Sequence, residues 1–364
     1  MAVFMVVTHG RSSLDLYSLR LSRHLHVPTI HTDIYQELSR LFNKLPGLEG
    51  VRFTLKALDF IRRLEGTPGI PHLPNHHLGR FTRLLRKPFI ITVHDLMRYI
   101  DAKGLEGAPL IYKPKKWDAV GFTLDFEAAR RALRVIVPSN HTKRDLIRLL
   151  GVPAWKVRVV PHGVDEVFKP TQAGRPCREP YILYVGSEHP RKNLKTLLKA
   201  FSLLKREPAY QKLKLVKVGR AGGGERDFRA ETLRVAEALK VREDIVFVDW
   251  CSQGDLASYY SQAEVFVFPS IYEGFGWPPL EAMACGCPVI SSNASSMPEI
   301  LDGAALFVNP YDVEGWRQAL EQVLTSDRLR RRLSNIGMLK AKTYTWEKAA
   351  KQTLQVYMEA ESES

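Results

Sequence analysis

The chain has 364 residues, 45% hydrophobic and 25% charged, with 53 Lys+Arg against 39 Asp+Glu and a formal net charge of +14. That balance excludes a disordered chain and gives enough length for two or three domains, each with its own core. No run of 18 or more apolar residues and no charged-then-apolar leader is present, so neither a membrane span nor a secretory signal is expected, and a cytoplasmic protein, peripheral to the membrane at most, is.

The charge is unevenly spread. Residues 1–170 hold 27 Lys+Arg against 15 Asp+Glu, and the remainder 26 against 24. A basic first half attracts phosphate, whether of an anionic lipid, a phospholipid-linked acceptor or a nucleic acid, unless it is simply a solvated face. No nucleic-acid motif with interleaved aromatics accompanies it, so no nucleic-acid partner is expected. Cys177, Cys251, Cys285 and Cys287 are too few and too irregularly spaced for a disulfide framework or a zinc site and read as small core residues.

In chain order, apolar strands alternate with helical patterns. The first half reads Val3–Val7, a helix Leu14–Leu25, Phe89–Val93, a helix Phe126–Leu133, Val135–Val137, a helix Lys143–Leu150 and Val157–Val160. Phe53–Leu64 mixes apolar and basic residues at near-helical spacing. It is a helix packed on a sheet or, on the rival reading, one lying on an anionic membrane. The polar stretch 171–180, with two prolines and a glycine, reads as the linker. Strands then resume at Tyr181–Val185, Leu213–Val218, Ile245–Val248, Val265–Phe268, Val289–Ser291 and Leu306–Val308. The pattern is α/β, with two doubly wound parallel sheets: domain 1–170, linker 171–180 and domain 181–345. A last helix, Trp346–Met358, places Ala349, Ala350, Leu354 and Tyr357 at helical spacing, ahead of a frayed acidic end.

The motifs fall at strand ends. Gly186 closes Tyr181–Val185, and Arg191-Lys192-Asn193 precede a helical pattern. A forked guanidinium beside an ammonium suits a diphosphate. Glu273 and Glu281 lie eight positions apart, Glu273 in the loop after Val265–Phe268 and Glu281 in a helix that Pro278-Pro279 initiate and Gly286 stops. The free N–H groups and dipole of that helix favour an anion, and carboxylates accept hydrogen bonds from neighbouring hydroxyls. Phe275, Gly276 and Trp277 offer backbone N–H groups nearby. His94 follows Phe89–Val93, Ser139 follows Val135–Val137, and Gly10 follows the first strand. Arg220–Glu225 contains a glycine run, which alone is weak evidence for nucleotide contact. Taken singly, an Arg-Lys pair, a first-turn Glu or a lone His is more often structural than functional. Their order and spacing argue otherwise.

Glu273 to Glu281, Gly186-Ser-Glu-His-Pro-Arg191-Lys192-Asn193, Val93-His94-Asp95, Val137-Pro-Ser139, Pro161-His-Gly-Val-Asp165 and Tyr344-Thr-Trp346-Glu347 together resemble the retaining nucleotide-sugar glycosyltransferases of family 4. Those enzymes have the GT-B fold and the E-x7-E signature, and the resemblance covers nearly the whole chain. It implies two Rossmann-like domains facing across a cleft, the first for the acceptor and the second for the nucleotide sugar, with residues 346–364 crossing back onto the first domain. It implies that Arg191 and Lys192 hold the donor diphosphate beside Gly186, and that Glu281 binds the ribose diol. Glu273 with Gly274, Phe275 and Gly276 would meet the transferred sugar, His94 would contact that sugar, and Asp95 would support its loop. Asp249 and Trp250 would lie near the base, and Gly10 and Ser139 on the phosphate or acceptor side. Residues 161–165 are taken as mainly structural. Trp277 stands where the family usually has Leu, Val or Ile. No metal or other cofactor is implied.

The expected activity is metal-independent, retaining transfer of a hexose to a hydroxyl of a glycan or lipid-linked acceptor. The block 274–299 looks most like mannosyltransferases, making GDP-mannose the first donor expectation, with UDP-glucose or UDP-GlcNAc as the alternative. A sugar-nucleotide epimerase and a non-catalytic nucleotide-sugar binder are the rivals of other classes.

Overall fold

The computed structural model describes residues 2–10, 12–34, 48–104, 114–172, 177–222 and 227–363. Two compact units divide the chain: residues 1–163 with 346–364, and Val164–Thr345. The second begins ahead of the polar stretch 171–180, of which residues 173–176 lie outside the described residues. The cause is local. Val164 N–H donates to Tyr344 O at 3.0 Å, and Phe168, 4% exposed, packs into the second unit's core.

In the first unit the described strands are β1 (Val3–Thr8), β2 (Thr29–Thr32), β3 (Ile70–Leu73), β4 (Ile90–Thr92), β5 (Arg134–Val137) and β6 (Val157–Val159). They form one parallel sheet in the order β2-β1-β3-β4-β5-β6. The described α-helices are α1 (Ser13–Leu25), α2 (Leu48–Gly66), α3 (Met97–Lys103), α4 (Lys116–Arg131) and α5 (Asn140–Leu150). Helix α1 starts at a capping box, in which Ser12 Oγ accepts from Asp15 N–H at 3.2 Å and Asp15 Oδ2 accepts from Ser12 N–H at 3.1 Å. Strands β2 and β3 were not read from the sequence. β2 is short and half-polar, and β3 carries Pro71, which lacks an amide N–H and argues against an interior strand. Even so, β3 lies between β1 and β4, with Pro71 opposite Phe4.

The second unit places β7 (Tyr181–Val185), β8 (Lys214–Val218), β9 (Ile245–Val248), β10 (Val265–Phe268), β11 (Val289–Ser292) and β12 (Leu306–Val308) in a parallel sheet ordered β12-β11-β10-β7-β8-β9. Its described helices are α6 (Leu194–Leu204), α7 (Phe228–Ala238), α8 (Gln253–Gln262), α9 (Trp277–Ala284), α10 (Met297–Leu301), α11 (Val313–Thr325) and α12 (Asp327–Ala341). Continuous apolar runs such as Val265–Phe268, 0% exposed throughout, follow from apolar layers on both faces of the sheet. One layer joins α6 to α11 around Trp316. The other joins α8, α9 and α12 around Tyr260, Leu280 and Met283. Cys285 and Cys287 are buried in that second layer, with Cys177 and Cys251 half-buried against it. The strand order reverses between β7 and β10, and open parallel sheets bind ligands beyond the carboxyl ends of such neighbours.

The terminal helix α13 (Trp346–Ser362) groups with the first unit and runs past the expected end at Met358. Trp346, Ala349, Ala350, Val356, Tyr357 and Ala360 are buried, whereas Leu354, expected on that face, is 36% exposed and Thr353 takes a buried place. The acidic end is not frayed as expected. Arg134 of β5, 3% exposed, donates to both carboxylate oxygens of Glu363 and to Glu359 Oε2 at 3.3 Å, while Arg158 reaches Glu359 at 2.8 Å. A charged residue inside the apolar run of β5 is thereby paired, and the helix end is clamped. Tyr357 OH shares a hydrogen bond of 2.6 Å with His72 Nδ1.

Replacing Arg134 by Ala is expected to destabilise the first unit by about 2–3 kcal/mol, the scale of lost hydrogen bonds to charged groups. Arg134→Lys, lacking the fork, should recover only part of this. Urea unfolding followed by Trp fluorescence checks it, and wild-type behaviour of Arg134→Ala would refute the clamp.

Candidate donor site

The buried run of β10 delivers the chain to the sheet's carboxyl edge at Pro269, beside the loop that leaves β7. Two contacts join the loops: Ile271 N–H donates to Arg191 O at 2.8 Å, and Asn193 Nδ2 donates to Pro269 O at 3.1 Å and Pro310 O at 2.6 Å. Asn193 does this from the left-handed region, φ 55°, which Asn tolerates better than most residues. Glu273 is held by its backbone. Its N–H donates to Ser295 Oγ at 2.9 Å, and Ser296 Oγ donates to Glu273 O at 2.9 Å.

Three of the expected residues converge. Arg191 Nη1 lies 2.7 Å and Lys192 Nζ 2.6 Å from Glu273 Oε1. Arg191 Nη1 also reaches Tyr272 O at 3.4 Å, and Lys192 Nζ sits 5.0 Å from the centre of the Phe268 ring. Burial alone would raise the Glu273 carboxyl, but the Arg191 and Lys192 cations opposite hold it down at about 2. One ionised carboxylate therefore lies between two cations at the sheet's point of strand reversal.

Glu281 lies in α9, where its Oε2 accepts from Tyr260 OH at 3.1 Å. Pro278 and Pro279 remove two first-turn N–H donors, so the attraction for anions at this end rests on the aligned dipole more than on the free N–H groups expected. Gly276 enters the helix at φ 100°, and a Cβ there would stand 2.4 Å from Met297 Cε. Gly274 is buried, and Phe275, 5% exposed, packs edge-on to Tyr344 with centroids 5.7 Å apart. The Phe275 side chain belongs to the core.

Gly186 N–H donates to Val218 O at 2.9 Å, tying the end of β7 to β8. Past it, a chain of ion pairs crosses the carboxyl ends of β7, β8 and β9. Lys217 Nζ meets Glu188 Oε1 at 2.9 Å, Arg229 Nε meets the same oxygen at 2.7 Å, and Arg229 Nη2 meets Asp249 Oδ1 at 2.6 Å. The Lys217 and Glu188 side chains are both 0% exposed. This network places Asp249 with Arg229, not with Glu273, and leaves Trp250 beside it 74% exposed. Glu188, Lys217, Arg229, Ser295 and Ser296 were missed in the sequence, where nothing marks isolated charges as partners. Of the loop 220–225, residues 223–225 lie outside the described residues.

The other expected residues belong to the first unit. His94, 7% exposed, follows β4 and donates from Nε2 to Pro74 O at 2.8 Å, so its neutral ring carries the proton there and Nδ1 is the acceptor. The ring packs 4.6 Å from Tyr17 and 5.1 Å from His162, centroid to centroid. Burial lowers its pKa to about 4 and that of His72 to about 3, and holds His76 and His162 well below the usual range. Asp95 Oδ1 accepts from Met97 N–H at 3.0 Å at the start of α3. Ser139 is 0% exposed and caps α5, its Oγ accepting from Thr142 N–H at 3.1 Å. Gly10 is half-buried just past β1, with Arg11 outside the described residues. Among the described residues no group of three or more His, Cys, Asp or Glu is placed to hold a metal ion, and no helix is long and apolar enough to cross a membrane.

The two units should respond differently to acid. A histidine held neutral contributes stability that is complete above its unfolded pKa, near 6.5, and is lost as pH falls toward its folded value, about 4 for His94. Glu273, depressed from 4.5 to about 2, keeps its contribution until pH falls below 4.5. Hydrogen exchange at pH 7.5 and 5.0, corrected for intrinsic rates, should show residues 70–94 losing protection while residues 265–296 keep theirs. Equal loss in both would contradict these assignments.

Similarity to known proteins agrees with this geometry. A family model described as Glycosyl transferases group 1 matches residues 166–339, and one described as Glycosyltransferase Family 4 matches residues 35–168. O-antigen chain mannosyltransferase B of Escherichia coli is 31% identical over 300 residues, covering 79% of this chain and 74% of its own length. An MMP alpha-(1->4)-mannosyltransferase of Mycolicibacterium hassiacum is 30% identical over 363 residues, covering 96% and 84%. The solved sucrose-phosphate synthase of Thermosynechococcus elongatus aligns over 100% of both chains with TM-score 0.78 at 22% identity, a likeness of fold. The chain belongs to glycosyltransferase family 4, has the two-domain, Rossmann-like GT-B fold, and is a hexosyltransferase.

Proposed function

We propose that the chain transfers mannose from GDP-mannose to a hydroxyl of a glycan acceptor, with retention of configuration and without a metal ion. The observation that carries this reading is the convergence of Arg191 and Lys192 on Glu273 at the strand reversal of the second unit. The mannosyltransferase names of its relatives support the choice of sugar.

In the reaction the bond from the sugar's C1 to the diphosphate oxygen breaks and a bond from C1 to the acceptor oxygen forms on the same face. The departing phosphate oxygen takes the acceptor's proton. Arg191 supplies a fork and Lys192 a point charge where negative charge grows, a task a metal ion performs elsewhere. Glu281 takes the ribose diol and Glu273 the sugar hydroxyls, since an ionised carboxylate accepts from two neighbours at once. A Glu273 that stays charged at every physiological pH suits that role and not one of proton donor. His94, held neutral, presents an acceptor nitrogen for a sugar hydroxyl. Trp250 offers an exposed ring near the base-binding edge.

Arg191→Ala and Lys192→Ala should each lower turnover of GDP-mannose about 100-fold, the scale on which a lost transition-state charge partner acts. Activity should persist in EDTA, and the anomeric signal of the product should match that of the donor by NMR. Near-normal rates in both variants would remove the diphosphate assignment, EDTA-abolished activity the metal independence, and an inverted anomer the retaining course. Release of an isomerised nucleotide sugar without acceptor would favour an epimerase.

A further inference from the structure

The carboxyl edge of the first unit's sheet carries a pocket of about 430 Å³ to which the donor assignment gives no part. Its walls are His9 just past β1, His31 and Asp33 at the end of β2, and Lys56, Asp59 and Arg63 on α2, with Phe60 behind them. The volume falls within the range of ligand sites, roughly 300–1,000 Å³. Its place also fits, because parallel sheets bind ligands beyond their strands' carboxyl ends.

The chemistry of the walls separates two kinds of acceptor. A phosphate site concentrates cations without compensating carboxylates. Here each cation has a carboxylate in the same pocket, and Lys56 Nζ lies 3.8 Å from Asp33 Oδ2. Arg63 Nη2 donates to His31 O at 3.3 Å, which orients its fork. His9 Nε2 and His31 Nδ1 share a hydrogen bond of 2.7 Å, with the rings stacked at 4.9 Å. Balanced charge in the most basic part of the chain gives little field for an anion. Interleaved donors and acceptors are what the hydroxyls of a pyranose require, each being donor and acceptor together.

We propose that this pocket holds an uncharged sugar residue of the acceptor glycan, with Asp33 and Asp59 accepting from its hydroxyls and Arg63 donating to them. The proposal rests on the glycosyl-transfer reading and gives that reading its acceptor class. Recognition lies in the sugar, whether the glycan is free or lipid-linked.

Saturation-transfer NMR on the full chain with saturating GDP provides the test, using methyl α-mannoside, mannobiose, octyl α-mannoside, inorganic phosphate and glycerol 3-phosphate as probes. The neutral glycosides should bind and resist displacement by either phosphate. Asp59→Ala and Arg63→Ala, both at exposed positions and checked by their melting curves, should each weaken mannobiose tenfold or more. The GDP affinity of the same samples should stay within twofold of wild type. Displacement by phosphate, unchanged mannobiose affinity in both variants, or no glycoside binding at millimolar concentration would overturn the proposal. So would a tenfold preference for the octyl glycoside, which would place recognition on the tail. Loss of GDP binding with glycoside binding intact would instead remove the donor reading and leave the pocket standing.

Discussion

Everything at the candidate site depends on one carboxylate held charged in a buried place. Glu273 loses most of its hydration, which would favour the neutral acid, and keeps its charge only because two cations from the neighbouring loop lie within hydrogen-bonding distance of one of its oxygens. The arrangement exists because the strand order reverses between β7 and β10, bringing the loops after them side by side. Asn193 and the 269–271 backbone then fix the distance between the loops with two hydrogen bonds, and Asn193 adds a third to Pro310 O beyond β12. The ion cluster is thus a consequence of topology, and its strength depends on how little water reaches it.

The same constraint recurs elsewhere in opposite form. In the second unit Lys217 and Glu188 are fully buried and remain tolerable because they answer each other, with Arg229 and Asp249 extending the chain to the end of β9. In the first unit the problem is solved by neutrality. His72, His76, His94 and His162 are buried together with Tyr17 and Trp346, and the loss of hydration on burial holds them uncharged. One unit holds fixed charge in paired clusters, and the other presents neutral rings and balanced pairs.

Much of this was legible in the sequence because continuous apolar runs mark buried parallel strands. Tyr181–Val185, Ile245–Val248 and Val265–Phe268 are read and observed with the same limits, and Glu273 and Glu281 fall in the loop and helix that the prolines indicate. Strand β3 was hidden by Pro71 and His72, which a local reading assigns to a loop, although neighbours on both sides override that preference. Arg134 was hidden for a related reason. Its partners Glu359 and Glu363 stand more than two hundred positions away, and no spacing rule links them. The C-terminal end of α13 and the seat of Asp249 are likewise set by tertiary partners, whereas Ser139 is placed by the local cap of α5. Motif order marks the family, whereas the pairings that hold the motif residues in place arise only in the folded chain.

On the proposed function, the second unit binds a nucleoside diphosphate through Arg191 and Lys192, with guanine as its base. A thermal-shift panel of GDP, UDP, ADP and dTDP tests it most directly, since selective binding raises the melting temperature in proportion to ln(1 + [L]/Kd). A clear rise is expected with GDP, and it should be lost in the Arg191→Ala, Lys192→Ala double variant. A rise with UDP alone would contradict the guanine assignment, and no rise with any of the four would contradict the donor site itself.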